Sequence, residues 1–262
     1  MTAAADIAAA AQAAVSARLA AYVEVPGTGS RQGEGWLAVR TGVRSNEDNG
    51  VVSEAGVAVP RQEVERLVAW IAEVGAPASW WTAQATAELT DTLVAAGARP
   101  ERTGNWSGCA LPLQPDERSS TVAVVPLSSE RDLDDWLDVA DACGWLDGDA
   151  DRTARRRLYL ALGFEHPDLT HWVARDDERT VGFASTFRHG DVVDLWNLGV
   201  HPTARRRGIG RAIVLEVLDV ARRRGALRVV SAPSPDGWQL QRTLGFSTVP
   251  VEPDTTFYLP SL

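Results

Sequence analysis

Val192-Val193-Asp194-Leu195-Trp196-Asn197-Leu198-Gly199-Val200 reads as an apolar strand. His201-Pro202 ends it, Arg205-Arg206-Arg207-Gly208-Ile209-Gly210 follows, and a helix is predicted from Gly208 to Arg224. That helix puts Ile209, Ile213, Val217 and Val220 on one stripe, and Gly225 closes it before a Val229-Val230 strand. Strand, loop and helix N-terminus stand in the order an anion site requires. Glycines at 208 and 210 let the backbone approach a ligand closely, the first helical N–H groups have no partner within the helix, and the helix dipole favours negative charge. A diphosphate is therefore expected on the main-chain donors of Arg206 to Arg211, with guanidinium groups beside it. Arg155-Arg156-Arg157 and Arg222-Arg223-Arg224 lack such glycines and are predicted to be solvated surface.

Toward the N-terminus, an alanine-rich segment from Ala3 to about Tyr22 carries Ile7, Val15 and Leu19 at helical spacing. The glycine-rich stretch from Pro26 to Gly35 runs into Trp36-Leu37-Ala38-Val39, a strand and not a helix, so a mobile connection is expected there instead of a phosphate loop. A Val51-Val52 strand comes next, then a helix from Gln62 to Glu73 with Val64, Leu67, Val68 and Ile71 on one face, closed by Gly75. The second half repeats this order. Gly75 answers Gly225 at an offset of 150, and Gly97 answers Gly245 at 148, a nearly constant register of the kind an internal duplication leaves. Leu111 to Arg118 is a proline-containing polar connection, and Thr121-Val122-Ala123-Val124-Val125 opens the second half as a strand. Two domains, 1–115 and 116–262, divided near Pro115, are predicted, each an α/β unit.

The formal charge of -9 and pI near 5.0 oppose a nucleic-acid or anionic-membrane binder, so an anionic ligand must be held locally. Cys109 and Cys143 stand far apart, with no second thiol or histidine at metal-ligand spacing; neither zinc nor a disulfide framework is indicated, and a reducing cytoplasm is expected. Asp6, Gln12 and Arg18 interrupt the first helix, which lacks a basic leader and is too polar to span a membrane. Asp147-x-Asp149-x-Asp151 has the start of a calcium loop, but Arg152 stands where glycine is needed and Leu158 where glutamate is needed, so no metal is expected.

Arg205-x-x-Gly208-x-Gly210, set after Val200-His201-Pro202, resembles the signature of the GNAT acyltransferases. Ser231 to Gly237 and Leu240-Gln241-Arg242-Thr243-Leu244-Gly245-Phe246 resemble the family's fifth strand, second helix and Leu-Gly-Phe ending, and the resemblance covers roughly Thr121 to Tyr258. With the internal repeat, the chain resembles a tandem member whose N-terminal copy is degenerate. The resemblance implies an α/β fold with a mixed sheet splayed between its fourth and fifth strands, admitting acetyl-CoA or another short acyl-CoA as co-substrate. Arg205, Arg206, Arg207, Gly208, Ile209, Gly210, Arg211 and Ala212 would hold the diphosphate. Pantetheine would add to the strand edge at Leu198 and Val200, a main-chain N–H near Leu198 or Gly199 would polarise the thioester carbonyl, and a primary amine of a small molecule would attack directly in a ternary complex.

Two positions depart from the family pattern. Gln241 stands where many members carry the tyrosine that protonates the leaving thiolate, and glutamine is not an acid; Ser234 is a candidate relay whose other role is a helix cap. Val229 occupies the fifth-strand position where some relatives have a glutamate base, which leaves Asp194, on the same strand face as Trp196 and Leu198, as the candidate base. Glu130 to Asp138 sets Leu133, Trp136, Leu137 and Ala140 on one stripe and its carboxylates on a solvated face; in the family, helices here cover the acceptor, so a cationic amine is favoured. His189 and His201 fall in loops, and Tyr258 on the last strand lines the acceptor pocket or simply packs. In the N-terminal copy Val57-Ala58-Val59-Pro60 aligns with Val200-His201-Pro202, but Arg61-Gln62-Glu63-Val64-Glu65 brings two carboxylates and no glycine, which forbids a diphosphate. That half is expected to act as a scaffold or to lend Trp80 or Trp81 to the acceptor site. The expected partner is a small-molecule amine, with no nucleic acid or membrane, in a monomer or homodimer. A non-catalytic acyl-CoA-binding or sensing protein is the alternative that Gln241 leaves open.

Overall fold

The structure, a computed structural model, describes residues 3–101, 105–113, 122–252 and 255–260. The N-terminal part runs α1 (Ala3–Ala21), β1 (Gly29–Gly33), β2 (Trp36–Arg40), β3 (Asn49–Ser53), α2 (Arg61–Ala72), β4 (Ala78–Thr82), α3 (Ala87–Ala95), β5 (Arg99–Pro100) and β6 (Asn105–Ala110). There follow β7 (Ala123–Pro126), α4 (Glu130–Ala142), α5 (Gly148–Leu162), β8 (Leu169–Asp176), β9 (Arg179–His189) and β10 (Val192–Val200). A single 3-10 turn at Pro202–Ala204 leads to α6 (Ile209–Arg223), β11 (Arg228–Ser231), α7 (Pro235–Thr243), β12 (Ser247–Pro250) and β13 (Thr256–Leu259). No helix among the described residues is long and apolar enough to cross a membrane.

The chain forms two compact units that are discontinuous in sequence: 1–104 with 153–161 and 250–262, and 105–152 with 162–249. Pro115, where a division was expected, lies outside the described residues. The first unit's sheet has the order β1-β2-β3-β4-β13-β5, the second's β7-β8-β9-β10-β11-β6-β12. In the first, β1, β2 and β3 are antiparallel neighbours and β4 joins β3 in parallel; in the second, β8, β9 and β10 repeat that meander and β11 joins β10 in parallel. The crossover helix is α2 in one and α6 in the other. The next lane is filled across the chain: β13, the last strand, lies antiparallel to β4, while β6 lies antiparallel to β11.

Helical stripes build both cores. In the first unit Val64, Leu67 and Ile71 of α2 cover Val51, Trp80 and Phe257. In the second, Ile209, Ile213, Val217 and Leu218 of α6 cover Val193, Leu195, Trp172 and Val229. The opposite face of that sheet receives α4, whose Trp136 ring lies 4.5 Å from the Phe183 ring, centre to centre.

Two expectations need correction. The glycine-rich stretch is a hairpin: Gly29 pairs with Arg40 and Gly33 with Trp36, leaving Glu34-Gly35 as a two-residue turn with Gly35 at φ +70°. Four of the five β1 residues are exposed, so no apolar alternation announces this strand. Nor is Arg155 on the surface. Asp151, Arg155, Leu158 and Tyr159 share the buried side of α5. Within the first unit Arg155 pairs with the buried Asp48 at 3.4 Å, Arg18 lies 3.7 Å from the same carboxylate, and the Tyr22 hydroxyl donates to it at 3.1 Å. Arg222, Arg223 and Arg224 are exposed as expected.

Candidate active site

The parallel ladder between β10 and β11 is short: Val192 faces Arg228, Val193 faces Val229 and Asp194 faces Val230. There it stops, although β10 continues for six residues along β9 while β11 ends at Ser231. The sheet therefore opens beyond the carboxyl ends of two parallel strands, the position where open α/β sheets take ligands. A bulge lies on that free length, because the β10–β9 register shifts between Trp196 and Gly199, with Asn197 at φ +54°. Gly199 has no alternative here, since a Cβ would overlap the Phe183 ring.

The following loop delivers a bare helix N-terminus to the same end. Arg206 takes φ +64°, and Gly208, at φ +80°, is the N-cap of α6. Ala212 N–H donates to Gly208 C=O, so the N–H groups of Ile209, Gly210 and Arg211 precede the first intrahelical bond, and Gly208 has no side chain to cap them. The two glycines serve different ends. A Cβ at 208 would meet nothing within 4 Å, which leaves the cap open, whereas one at 210 would press on Leu240 at 3.3 Å and Val200 at 3.6 Å.

The arginine side chains divide as well. Arg205 Nε donates to Val200 C=O at 3.1 Å, tying the loop back to its strand, and the Cys143 thiol donates to the same oxygen at 3.3 Å. Burial pushes that thiol up while Arg205 pulls it down, and the net shift is upward. Arg207 pairs with Asp176 at 2.8 Å and Arg211 donates to Thr243 at 3.2 Å, whereas Arg206 makes no such contact among the described residues.

Asp194 is 4% exposed and is the last β10 residue in the ladder, at the apex of the opening; alternation puts it with Trp196 on the α4 face. Ser234 is exposed and caps α7, accepting from Gly237 N–H at 3.2 Å. Gln241 is buried and donates through Nε2 to Ser231 Oγ at 3.0 Å. Sequence reasoning missed Ser231, and it missed His171 on β8, buried with Nδ1 2.7 Å from Ser185 Oγ and its ring edge-on to Trp136 and Trp196. The signal for His171 was a single titratable residue inside Leu169-Thr170-His171-Trp172-Val173, on the side of the strand that faces α4. The α4 carboxylates are not all solvated. Asp132 is buried, and although burial raises its carboxyl, Ser128 N–H and Oγ, Ser129 and Arg175 outweigh that and lower it to about 2. In the Asp147 to Asp151 stretch, Asp147 N–H donates to the Asp151 carboxylate at the start of α5.

Among the described residues the first unit's parallel pair does not part in this way. Its β3–β4 ladder runs to Ser53 opposite Thr82, the last residue of each strand. Pro60 is the N-cap of α2 and Glu63 stands in its first turn. Trp80 is core with Nε1 donating to Ser53 Oγ, and Tyr258 belongs to this unit's sheet opposite Ser79, with its hydroxyl raised by burial and by Glu101.

Residues 131–246 match the acetyltransferase (GNAT) family. No curated protein matches the chain in sequence. Among solved structures, a GCN5-related N-acetyltransferase from Kribbella flavida is 18% identical over 98% of this chain and 95% of its own, with a TM-score of 0.59. A GCN5-related N-acetyltransferase from Sphaerobacter thermophilus is 16% identical over 88% of this chain and 83% of its own, at 0.55. A functionally unknown conserved protein from Staphylococcus epidermidis is 13% identical over 90% and 94%, at 0.58. At these identities the likeness is one of fold.

Proposed function

Residues 131–246 match the acetyltransferase (GNAT) family, and from that likeness we propose that the chain moves an acetyl group from acetyl-CoA to a primary amine of a small molecule. The observation that carries this reading is the divergence of β10 from β11 beside the glycine-capped start of α6. The N–H groups of Ile209, Gly210 and Arg211 and the guanidinium of Arg206 hold the diphosphate. Arg205, by its bond to Val200, fixes the loop; Arg207, Gly208 and Ala212 complete it. Pantetheine lies along Leu198 and Val200, and the bulge turns the N–H of Leu198 or Gly199 toward the thioester oxygen.

In the transfer the amine nitrogen bonds to the carbonyl carbon, the C–S bond breaks, and its electron pair leaves on sulfur. Asp194 takes the amine's proton through a water. Acidic residues along α4 and the start of α5 favour a cationic acceptor. Residues 1–115 are a copy of the fold that has lost the co-substrate and 116–262 the acetyltransferase copy, each lending its last strand to the other's sheet; the closed β3–β4 ladder supports this.

The test is thiol release from acetyl-CoA against a panel of primary amines, with calorimetric titration of the co-substrate. Turnover with an amine is expected. Binding without turnover on any amine would favour an acyl-CoA sensor, and absence of binding would overturn the reading.

A further inference from the structure

Ser231 is the last residue of β11, one position beyond the end of the ladder with β10, so it stands at the apex of the opening. It is 4% exposed, and alternation puts its side chain with Val229 on the α6 face. Gln241, 2% exposed, meets it from α7 through the 3.0 Å bond from Nε2. An oxygen that accepts from an amide keeps its own hydrogen for another acceptor, and among the described residues Ser231 makes no second side-chain hydrogen bond. Gln241 Oε1, on the other side of the amide, is buried with no partner. An orphaned buried acceptor forfeits the hydrogen bonds it made to water in the unfolded chain, so this pair is poorly explained as packing. It makes sense as half of a site whose other half is a ligand.

We propose that Ser231 donates its hydroxyl hydrogen to the departing sulfur of coenzyme A and that Gln241 is its positioning residue. This rests on the acetyl-transfer reading above. When the C–S bond breaks, the electron pair and the negative charge pass to sulfur, and a hydrogen bond to an anion is stronger than one to the neutral thioester. Ser231 keeps its proton: a thiol, with an ordinary pKa of about 8.5, is far the stronger acid. The proton that sulfur finally takes is the one released by the amine, by way of Asp194 and solvent. Asp194 lies on the α4 face of the opening and Ser231 on the α6 face, so base and leaving-group donor approach the reacting carbon from opposite sides.

Ser231→Ala and the isosteric Gln241→Glu test this, with steady-state thiol release and calorimetric titration of acetyl-CoA on each. Glutamate at 241 accepts the Ser231 hydrogen and withdraws it from sulfur, so both variants should lose about ten- to a hundredfold in kcat. The Kd for acetyl-CoA should stay within about twofold of the parent's, because the donor acts on charge that the ground state lacks. An unchanged kcat in both variants, or a fall in kcat matched by an equal loss of affinity, overturns the assignment; if Ser231→Ala does not fold, Gln241→Glu decides alone. Absence of thiol release from the parent chain with every amine would instead defeat the transferase reading, and parent turnover with unimpaired variants would defeat only the role of Ser231.

Discussion

Gly208 combines a left-handed backbone, φ +80°, with open space where a side chain would begin. Replacing it with aspartate strains the cap by about 1 kcal/mol and sets a negative charge where the diphosphate must lie. Gly208→Asp is expected to abolish acetyl-CoA binding by calorimetry while the chain stays folded; binding that survives would show that the loop is not the anion site. Asp194 is a different kind of residue, buried at the apex and on the α4 face. Asp194→Asn should lower kcat by about a hundredfold and leave co-substrate affinity nearly unchanged, since it removes only a proton acceptor. An unaltered rate and pH profile would take it out of the mechanism. The places of Gly208 at the start of α6 and of Asp194 on β10 were legible in the sequence, because glycine spacing and strand alternation are local. Ser231 was not: its partner Gln241 lies ten residues on, and only the packing of α7 on β11 brings them together.

At the scale of elements, the start of α4 is a reciprocal cap. Ser129 Oγ accepts from Asp132 N–H while the Asp132 carboxylate accepts from Ser128 N–H and Oγ and from Arg175. Its folded pKa, about 2, lies below the ordinary carboxylate value, so the ionised form is the stabilised one. The contribution is complete above the unfolded pKa of about 3.9 and is lost as pH falls toward the folded value; it amounts to about 2 kcal/mol. Asp132→Asn should lower the melting temperature at neutral pH and flatten its fall between about pH 5 and 2; an acid limb identical to the parent's would refute the cap. Just before β3, Asp48→Ala removes the carboxylate beside two buried guanidinium groups, Arg18 of α1 and Arg155 of α5, and should destabilise the chain by about 3–5 kcal/mol in denaturant titrations. The α5 pairing escaped the sequence reading because three adjacent arginines look like one charged run, whereas a helix turns them in different directions.

At the scale of the molecule, two sheets of matching order each take a strand from the far part of the chain. Phe257 on β13 is fully buried in the first unit's core, between lanes held by β4 and β5. A chain ending at Val249 leaves that lane empty and should lose its cooperative thermal transition; Phe257→Ala alone should cost about 3–5 kcal/mol. A truncated chain that melts like the parent would contradict the pairing. Calorimetry of the full chain should give one acetyl-CoA per molecule, because among the described residues β10 runs on past its parallel partner whereas β3 and β4 pair to their ends. A stoichiometry of two would restore binding to the first unit.

What the sequence determined by itself is whatever depends on neighbours a few residues apart: the α6 stripe, the glycine that caps the start of α6, the glycines at 75 and 225 that follow the helices, and the helices that cover each sheet. The tertiary structure alone decided which strands share a lane, since β6 and β13 are short and nothing in their own residues names a partner across a hundred positions or more. It also decided that β1 forms from exposed polar residues, because an edge strand is held by its main-chain ladder to β2 and needs no apolar alternation. The length of the β10–β11 ladder belongs to the same class. Where two strands stop pairing is set by the bulge, the crossing helix and the packing on both faces; β10 runs on past its ladder with β11, whereas β3 and β4 pair to their last residues.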